Sequence, residues 1–284
     1  MDKINQKFKI IRFTPNSKTY YPASIKNENK STESIKADIK SGFEIIKEMG
    51  IYSEDELAKH FKEIESLNIS IENTEQQILH TDIEIPLGHS RYGGPVVDLP
   101  IGVAYPENLR FAAQLDLAKF SPFDNSRLLP KTGQLIFFTD IRTDIGKVIY
   151  SKVSNNQLIR NVKEHEDNFY SGVLIDTIYS DTETFAERFR DFDEDEDDED
   201  EDVNDDGKIW DDSAGEEKSK IFGIYTHCQY GQNEIEEITF SDKILLLQIG
   251  TNGFNDVGVF SVTIPKNDLK NLNFDNCEFA WGQT

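Results

Sequence analysis

Apolar residues in this chain change their spacing near residue 82, and that change divides it. Before that point two stretches carry helical spacing. From Glu33 to Met49, Ile35, Ile39, Phe43 and Ile46 recur at steps of four, four and three, which forms one apolar stripe. Ser53-Glu-Asp-Glu56 then gives a capping box, with Glu56 answering Ser53 three residues on, and the second helix runs to about Leu67 over Leu57, Phe61 and Ile64. Gly50 between them predicts a helical hairpin. A short strand, Phe8–Phe13, precedes both.

Beyond residue 82 the runs are short, β-branched or aromatic, and bounded by Gly, Pro, Asn and Asp. They predict strands at Ile83–Ile85, Leu109–Leu117, Gln134–Thr139, Lys147–Val153, Gly172–Tyr179, Ile221–Tyr225, Ile238–Phe240, Lys243–Ile249 and Gly258–Ile264. No helices alternate regularly with them, so the sheets are expected to be antiparallel. Fold class is therefore α+β: β-dominated antiparallel sheets with an internal duplication and an N-terminal helical hairpin. The expected division is residues 1–81, a strand plus helical hairpin packed on the body, and residues 82–284, a β-rich domain.

The duplication is visible as an echo. Phe111-Ala112-Ala113-Gln114-Leu115-Asp116 lies over Leu245-Leu246-Leu247-Gln248-Ile249-Gly250, and a glycine-led strand follows each, at Gly133 and Gly258. Three apolar residues running into a lone Gln read as a strand buried on both faces. A carboxamide buried there needs hydrogen-bond partners. Each Gln either bonds a neighbouring loop or lines a cleft between the two sheet units.

Charge changes the picture at one place. The net charge is −23, yet 17 of the 53 acids fall within Asp191–Glu217, including ten in succession from Asp193 to Asp202. Self-repulsion should keep this stretch, 191–217, extended and unpacked: a disordered acidic insert inside the fold. The balance of charge argues against nucleic acid and anionic membrane surfaces as partners. Apolar runs are too short for a membrane-spanning helix, and Met1–Lys9 lacks an apolar signal core, so a cytoplasmic protein is expected. The two cysteines, Cys228 and Cys277, suggest no disulfide framework.

Motifs for chemistry are few. Phosphate loop, nucleophile elbow, zinc-protease helix and Cys-x-x-Cys are all missing, and His60, His80, His89, His165 and His227 are dispersed. His227 adjoins Cys228, but neighbours on a strand face opposite ways. No catalytic residue is assigned, and an enzyme is not expected. Gly93-Gly94-Pro95 reads as a tight turn, or as a backbone nest for an anion beside Arg91 and His89. The candidate cleft is thus Arg91, Gly93, Gly94, Gln114 and Gln248. Within the insert, Asp202-Val-Asn204-Asp-Asp206-Gly-Lys208-Ile matches the first eight positions of a calcium loop: oxygens at alternate positions, a glycine turn, and the Lys208 backbone carbonyl. Trp210 and Ser213 then stand where further oxygens belong, leaving Asp211 and Asp212 as substitutes with altered geometry, Asp212 being the candidate ligand. Calcium is the one candidate cofactor.

These segments together resemble the YwqG-like family, bacterial proteins of unknown function. The resemblance rests on Ser90-Arg-Tyr-Gly-Gly-Pro95, Asp98-Leu-Pro100, Tyr105-Pro106, Phe111–Leu117 and Leu129–Phe138. It continues through Leu245–Ile249, Asp256-Val-Gly258, Asp268-Leu269 and Asn273-Phe274. It spans roughly residues 82–278. It departs in Val96-Val97, in Tyr105 where the family often has Trp, and in Phe254-Asn255 before Asp256. A β-dominated, internally duplicated α+β fold is implied, with no catalytic residues to carry over. The leading expectation is a non-enzymatic interaction protein, immunity-type or regulatory, that binds a basic protein partner. A small-molecule binder or enzyme using the cleft, and calcium binding through the insert, are the alternatives. Oligomeric state is left open.

Overall fold

In the computed structural model the described residues are 3–14, 18–24, 32–48, 52–66, 78–140, 142–164, 171–191, 203, 206–251 and 258–283. The chain opens with β1 (Phe8–Phe13) and β2 (Thr19–Tyr20), then forms α1 (Thr32–Glu48) and α2 (Glu54–Ser66). A long β region follows: β3 (Arg91–Gly93), β4 (Val96–Pro100), β5 (Arg110–Asp116), the short α3 (Leu117–Phe120), β6 (Gln134–Asp140), β7 (Ile145–Ser151), β8 (Leu158–Val162) and β9 (Gly172–Leu174). It continues with β10 (Ile178–Glu183), β11 (Phe189–Asp191), β12 (Lys208–Trp210), β13 (Lys220–Ile221), α4 (Gln232–Thr239), β14 (Lys243–Ile249), β15 (Gly258–Pro265), α5 (Lys266–Asn271) and β16 (Glu278–Gln283).

Two compact units result. Residues 24–77 form one, and 1–23 with 78–284 form the other. The N-terminal strand thus belongs to the β body, where β1 pairs with both β10 and β13. A parallel bridge joins Tyr21 to Leu79, with Tyr21 N–H on the Ile78 carbonyl (2.9 Å) and His80 N–H on the Tyr21 carbonyl (2.8 Å), so the chain leaves the body and re-enters it at adjoining points. In the helical unit the capping box forms as read: Ser53 N–H donates to Glu56 Oε2 at 2.9 Å, and Glu56 N–H to Ser53 Oγ at 3.4 Å. Phe43 stacks on His60 and meets Phe61 edge-on, joining the two helices. Ile35 and Ile46 have side chains outside the described set.

The body is an α+β fold built on two six-stranded antiparallel sheets. The first has the order β2-β9-β3-β5-β6-β7, the second β10-β1-β13-β14-β15-β16. They pack face to face through one core, to which the first contributes Tyr92, Leu115 and Phe137 and the second Ile11, Leu247, Phe260 and Val262. The outer faces are covered too. Val97 and Leu99 of the β4–β8 ribbon pack on Phe111, Ile136 and Phe138 of the first sheet. Phe185, Ile224 and Ile235 pack on Leu245 of the second, with Trp210 beside them. Burial on both faces is why these strands read as unbroken apolar runs.

The sheets repeat one another closely. The bulge in β5 falls between Phe111 and Ala113, and that in β14 between Leu245 and Leu247, so the extra residue stands two before Gln114 and two before Gln248. Gln114 pairs with Arg91 on one side and Ile136 on the other; Gln248 pairs with Lys220 and Ser261.

Several predicted elements change. Ile238–Phe240 is the end of α4 and not a strand, because Ile235 and Ile238, three apart, face one apolar cluster. Ile83–Ile85 forms no ladder; Ile85 is buried in a small cluster with Tyr20, Val96 and Leu174. The run Ile221–Tyr225 keeps only β13 before turning through Phe222 and Gly223, both at positive φ (69° and 90°). Residues 192–202 of the insert lie outside the described residues, but 208–217 are folded. The reading of 191–217 as wholly unpacked is corrected by Ile209 and Trp210, apolar residues that anchor β12 on β11.

Candidate functional site

Each sheet carries a fully buried cation beside its Gln. In the first sheet Arg91 has no exposed surface. Its guanidinium donates to the Val96 carbonyl (2.9 Å), the His89 carbonyl (2.6 Å) and Gln114 Oε1 (2.9 Å), and lies 2.9 Å from Asp98 Oδ2. Asp98 is gripped from the other side by Arg160 (2.9 and 3.1 Å) and by the Gly88 N–H (2.8 Å). Burial alone would raise this carboxyl; Arg160, Arg91 and the Gly88 N–H outweigh it and hold the group below the usual carboxylate range. Gln114 donates to the Asp98 carbonyl and to Gln134 Oε1 (3.0 Å), and Gln134 in turn to Asn155 Oδ1 (2.8 Å).

In the second sheet Lys220, also without exposed surface, donates to Glu183 Oε1 (2.6 Å) and the Ile224 carbonyl (2.8 Å). Burial lowers the Lys220 ammonium to about 7, against the opposing pull of Glu183. Gln248 donates to the carbonyls of Lys218 (2.7 Å) and Gly215 (3.1 Å), while its Oε1 has no partner among the described residues.

These clusters are counterparts. Ser90 precedes Arg91, and its Oγ accepts from the N–H of Asp116, two residues after Gln114, at 2.9 Å. Ser219 precedes Lys220, and its Oγ accepts from Gly250 N–H, two after Gln248, at 3.1 Å. Gly93-Gly94 follows the first cation at φ 65° and 74°, as Phe222-Gly223 follows the second. A side chain at Gly94 would run into the Gly172 backbone and the Tyr20 ring, so the close approach needs glycine there.

The candidate cleft residues accordingly fall into two places. Arg91, Gly93, Gly94 and Gln114 share the first cluster; Gln248 belongs to the second, in the other sheet. All five are buried. The anion beside Arg91 is the protein's own Asp98, and His89 instead faces Asp176 at 3.0 Å. Asp98 appeared in the sequence only within the resemblance; its partner Arg160, 62 residues on, left no local signal.

Of the calcium-loop residues, Asp202 and Asn204 lie outside the described residues. Gly207 turns at φ 74°, Lys208 opens β12 opposite Asp191, and Val203 bridges to Ile209. Asp206 and Asp212 are exposed. Among the described residues no group of three His, Cys, Asp or Glu side chains is placed to hold a metal ion. Cys228 donates to the Gly282 carbonyl (3.4 Å), and burial, first, with Glu216 raises its thiol to about 11, so it is no ready nucleophile.

An open hollow of about 220 Å³ lies on the outer face of the second sheet. Its floor is Ser261, Thr263 and Ala280; Tyr225 and Tyr230 stand beside it, and Asp144, Lys243 and Glu278 edge it. His227 stacks on Tyr230 at 4.0 Å. Burial lowers the His227 imidazole despite Asp144 and Glu234.

Fold and clusters together define a duplicated antiparallel sandwich in which each sheet is pinned by its own buried cation. The chain belongs to DUF1963, a domain of unknown function, matched over residues 90–282. That span begins at Ser90 and closes at Gly282, so it takes in both Ser–cation–Gln repeats. No curated protein matches the chain. Among the described residues no helix is long and apolar enough to cross a membrane.

Proposed function

We propose that this chain is a non-enzymatic, YwqG-like interaction protein of the cytoplasm that captures a basic protein partner, in an immunity-type or regulatory role. One observation carries the reading: the acid run is fastened at both ends to a folded body. β11 enters it and β12 leaves it, with Asp191 paired to Lys208 and Phe189 to Trp210, whose ring meets Phe189 at 5.4 Å and Phe185 at 5.9 Å. Ten successive acids lie in the chain between these anchors, and a charge run of that density steers a basic partner and accelerates its encounter. The cation clusters support the reading from the other side: their charged groups are spent on one another, as in a scaffold. Both cysteines being free thiols suits a reducing compartment.

The test is a pull-down from the native host with the parent chain and a variant in which Asp193–Asp202 are replaced by Asn and Gln. A basic partner held by the parent, released by salt and lost in the variant is the expected result. A partner kept by the variant moves the interface to the sheet body, and an empty pull-down in both refutes the proposal.

A further inference from the structure

The hollow on the second sheet has a counterpart in the first, and the counterpart is filled. Register equates Ser261 with Ile136, since each lies opposite the Gln, and Thr263 with Phe138 across the bulge. Ala280, opposite Ser261, answers to Ile149, opposite Ile136. Ile136 and Phe138 are buried under the β4–β8 ribbon, with Ile149 against them. Where one repeat has Ile, Phe and Ile packed as core, the other has Ser, Thr and Ala lining a hollow, with Ser261, whose Oγ donates to the Thr226 carbonyl at 3.3 Å, and Thr263 themselves little exposed. Small residues on a sheet face that its twin fills with bulky ones mark room kept for a guest.

The walls indicate which guest. Tyr225 and Tyr230 present aromatic surface, and His227 backs Tyr230. Lys243 is already held by Glu278 at 2.6 Å. Asp144 comes from the β6–β7 turn of the other sheet and makes no ion pair among the described residues. Glu234 adds a further negative charge nearby. Aromatic faces with an uncompensated carboxylate suit a cation on an apolar stem.

We propose that this hollow binds a compact organic cation, an alkylammonium or alkylguanidinium group, with its stem against Tyr225 and Tyr230 and its charge toward Asp144. A free amine and a basic side chain of a protein share this chemistry, and the two arms of the experiment separate them. Agmatine and putrescine are titrated into the full chain by calorimetry in one arm; a blocked Gly-Arg-Gly peptide is titrated in the other. The variants are Asp144→Asn and Ala280→Ile. Asp144 stands at φ 51°, a conformation that Asn tolerates, so the first variant should keep the fold. Ala280→Ile restores the bulk of the twin. Binding of agmatine or putrescine, weakened about tenfold or more by Asp144→Asn and abolished by Ala280→Ile, supports a free-amine site. Binding confined to the peptide, with the same losses, supports a protein side chain. Absence of binding in both arms at millimolar concentration overturns the proposal. So does affinity unmoved by Asp144→Asn, or equal binding of the neutral 1,4-butanediol. Should Ala280→Ile fail to fold, Asp144→Asn and the diol decide alone.

Discussion

Arg91 satisfies four acceptors at once from a planar fork, two of them carbonyl oxygens of its own neighbourhood. A lysine there has one nitrogen and cannot span them. Arg91→Lys should therefore cost about 2–3 kcal/mol, since at least one charge-assisted bond is lost and buried acceptors are stranded; urea unfolding measures it. Lys220 manages with two acceptors because its cluster is smaller. Removing its charge alone by Lys220→Met leaves Glu183 buried with only Lys218, at 4.0 Å, and the Ile224 N–H against it, a loss of about 3 kcal/mol, at the low end for a broken buried pair. The double change Lys220→Met with Glu183→Gln should recover part of that loss, and a double-mutant cycle is the measurement. Asp98 sets an acid limit. Its folded carboxyl lies below the unfolded value of about 3.9, so its stabilisation is present above that value and lost as pH falls through the folded one. Unfolding curves near neutrality and at about pH 3 should show a smaller acid loss in Asp98→Asn than in the parent.

Among the elements, the β11–β12 ribbon holds the acidic segment. Trp210 is its main apolar anchor, half-buried against Phe185 and Phe189. Truncation to Ala should cost about 2 kcal/mol, below the range for a fully buried Trp. The loss should appear as faster hydrogen exchange at Asp211 N–H, which bonds the Arg188 carbonyl at 2.8 Å. Exchange unchanged in Trp210→Ala would mean that the backbone ladder alone holds the ribbon. The helical hairpin was legible because its signals are local: a stripe at helical spacing and a capping box within four residues. α4 was not, because Ile-Thr-Phe looks like a strand until Ile235 is seen to need burial on the same side as Ile238.

Across the whole molecule, the body is joined to itself on either side of residues 24–77, through Tyr21, Ile78, Leu79 and His80. Replacing residues 25–76 by a short Gly-Ser linker should therefore leave a body that unfolds in one cooperative transition. Calorimetry showing a broad, non-cooperative melt would mean that the body depends on the excised helices. The duplication also belongs to this level. The outer face of the first sheet is covered by the β4–β8 ribbon over Ile136 and Phe138, whereas that of the second carries a hollow lined by Ser261, Thr263 and Ala280 at the corresponding positions.

What could be known before any fold was whatever is carried by near neighbours in the chain: the period of apolar residues, the cap at Ser53, the acid run, the Gln that ends each apolar triplet. Strand periodicity gave the antiparallel α+β class, and the Gln echo pointed to the repeat. Pairings across long separations stayed hidden, since a residue's spacing says nothing of what faces it. Arg160 meets Asp98, Glu183 meets Lys220 and Asp144 reaches the second sheet's hollow only once the strands have found their register. The same register turned Gln114 from a candidate cleft residue into a buried link between Arg91 and Gln134, because in a closed sandwich a polar group on a covered face must bond within the protein.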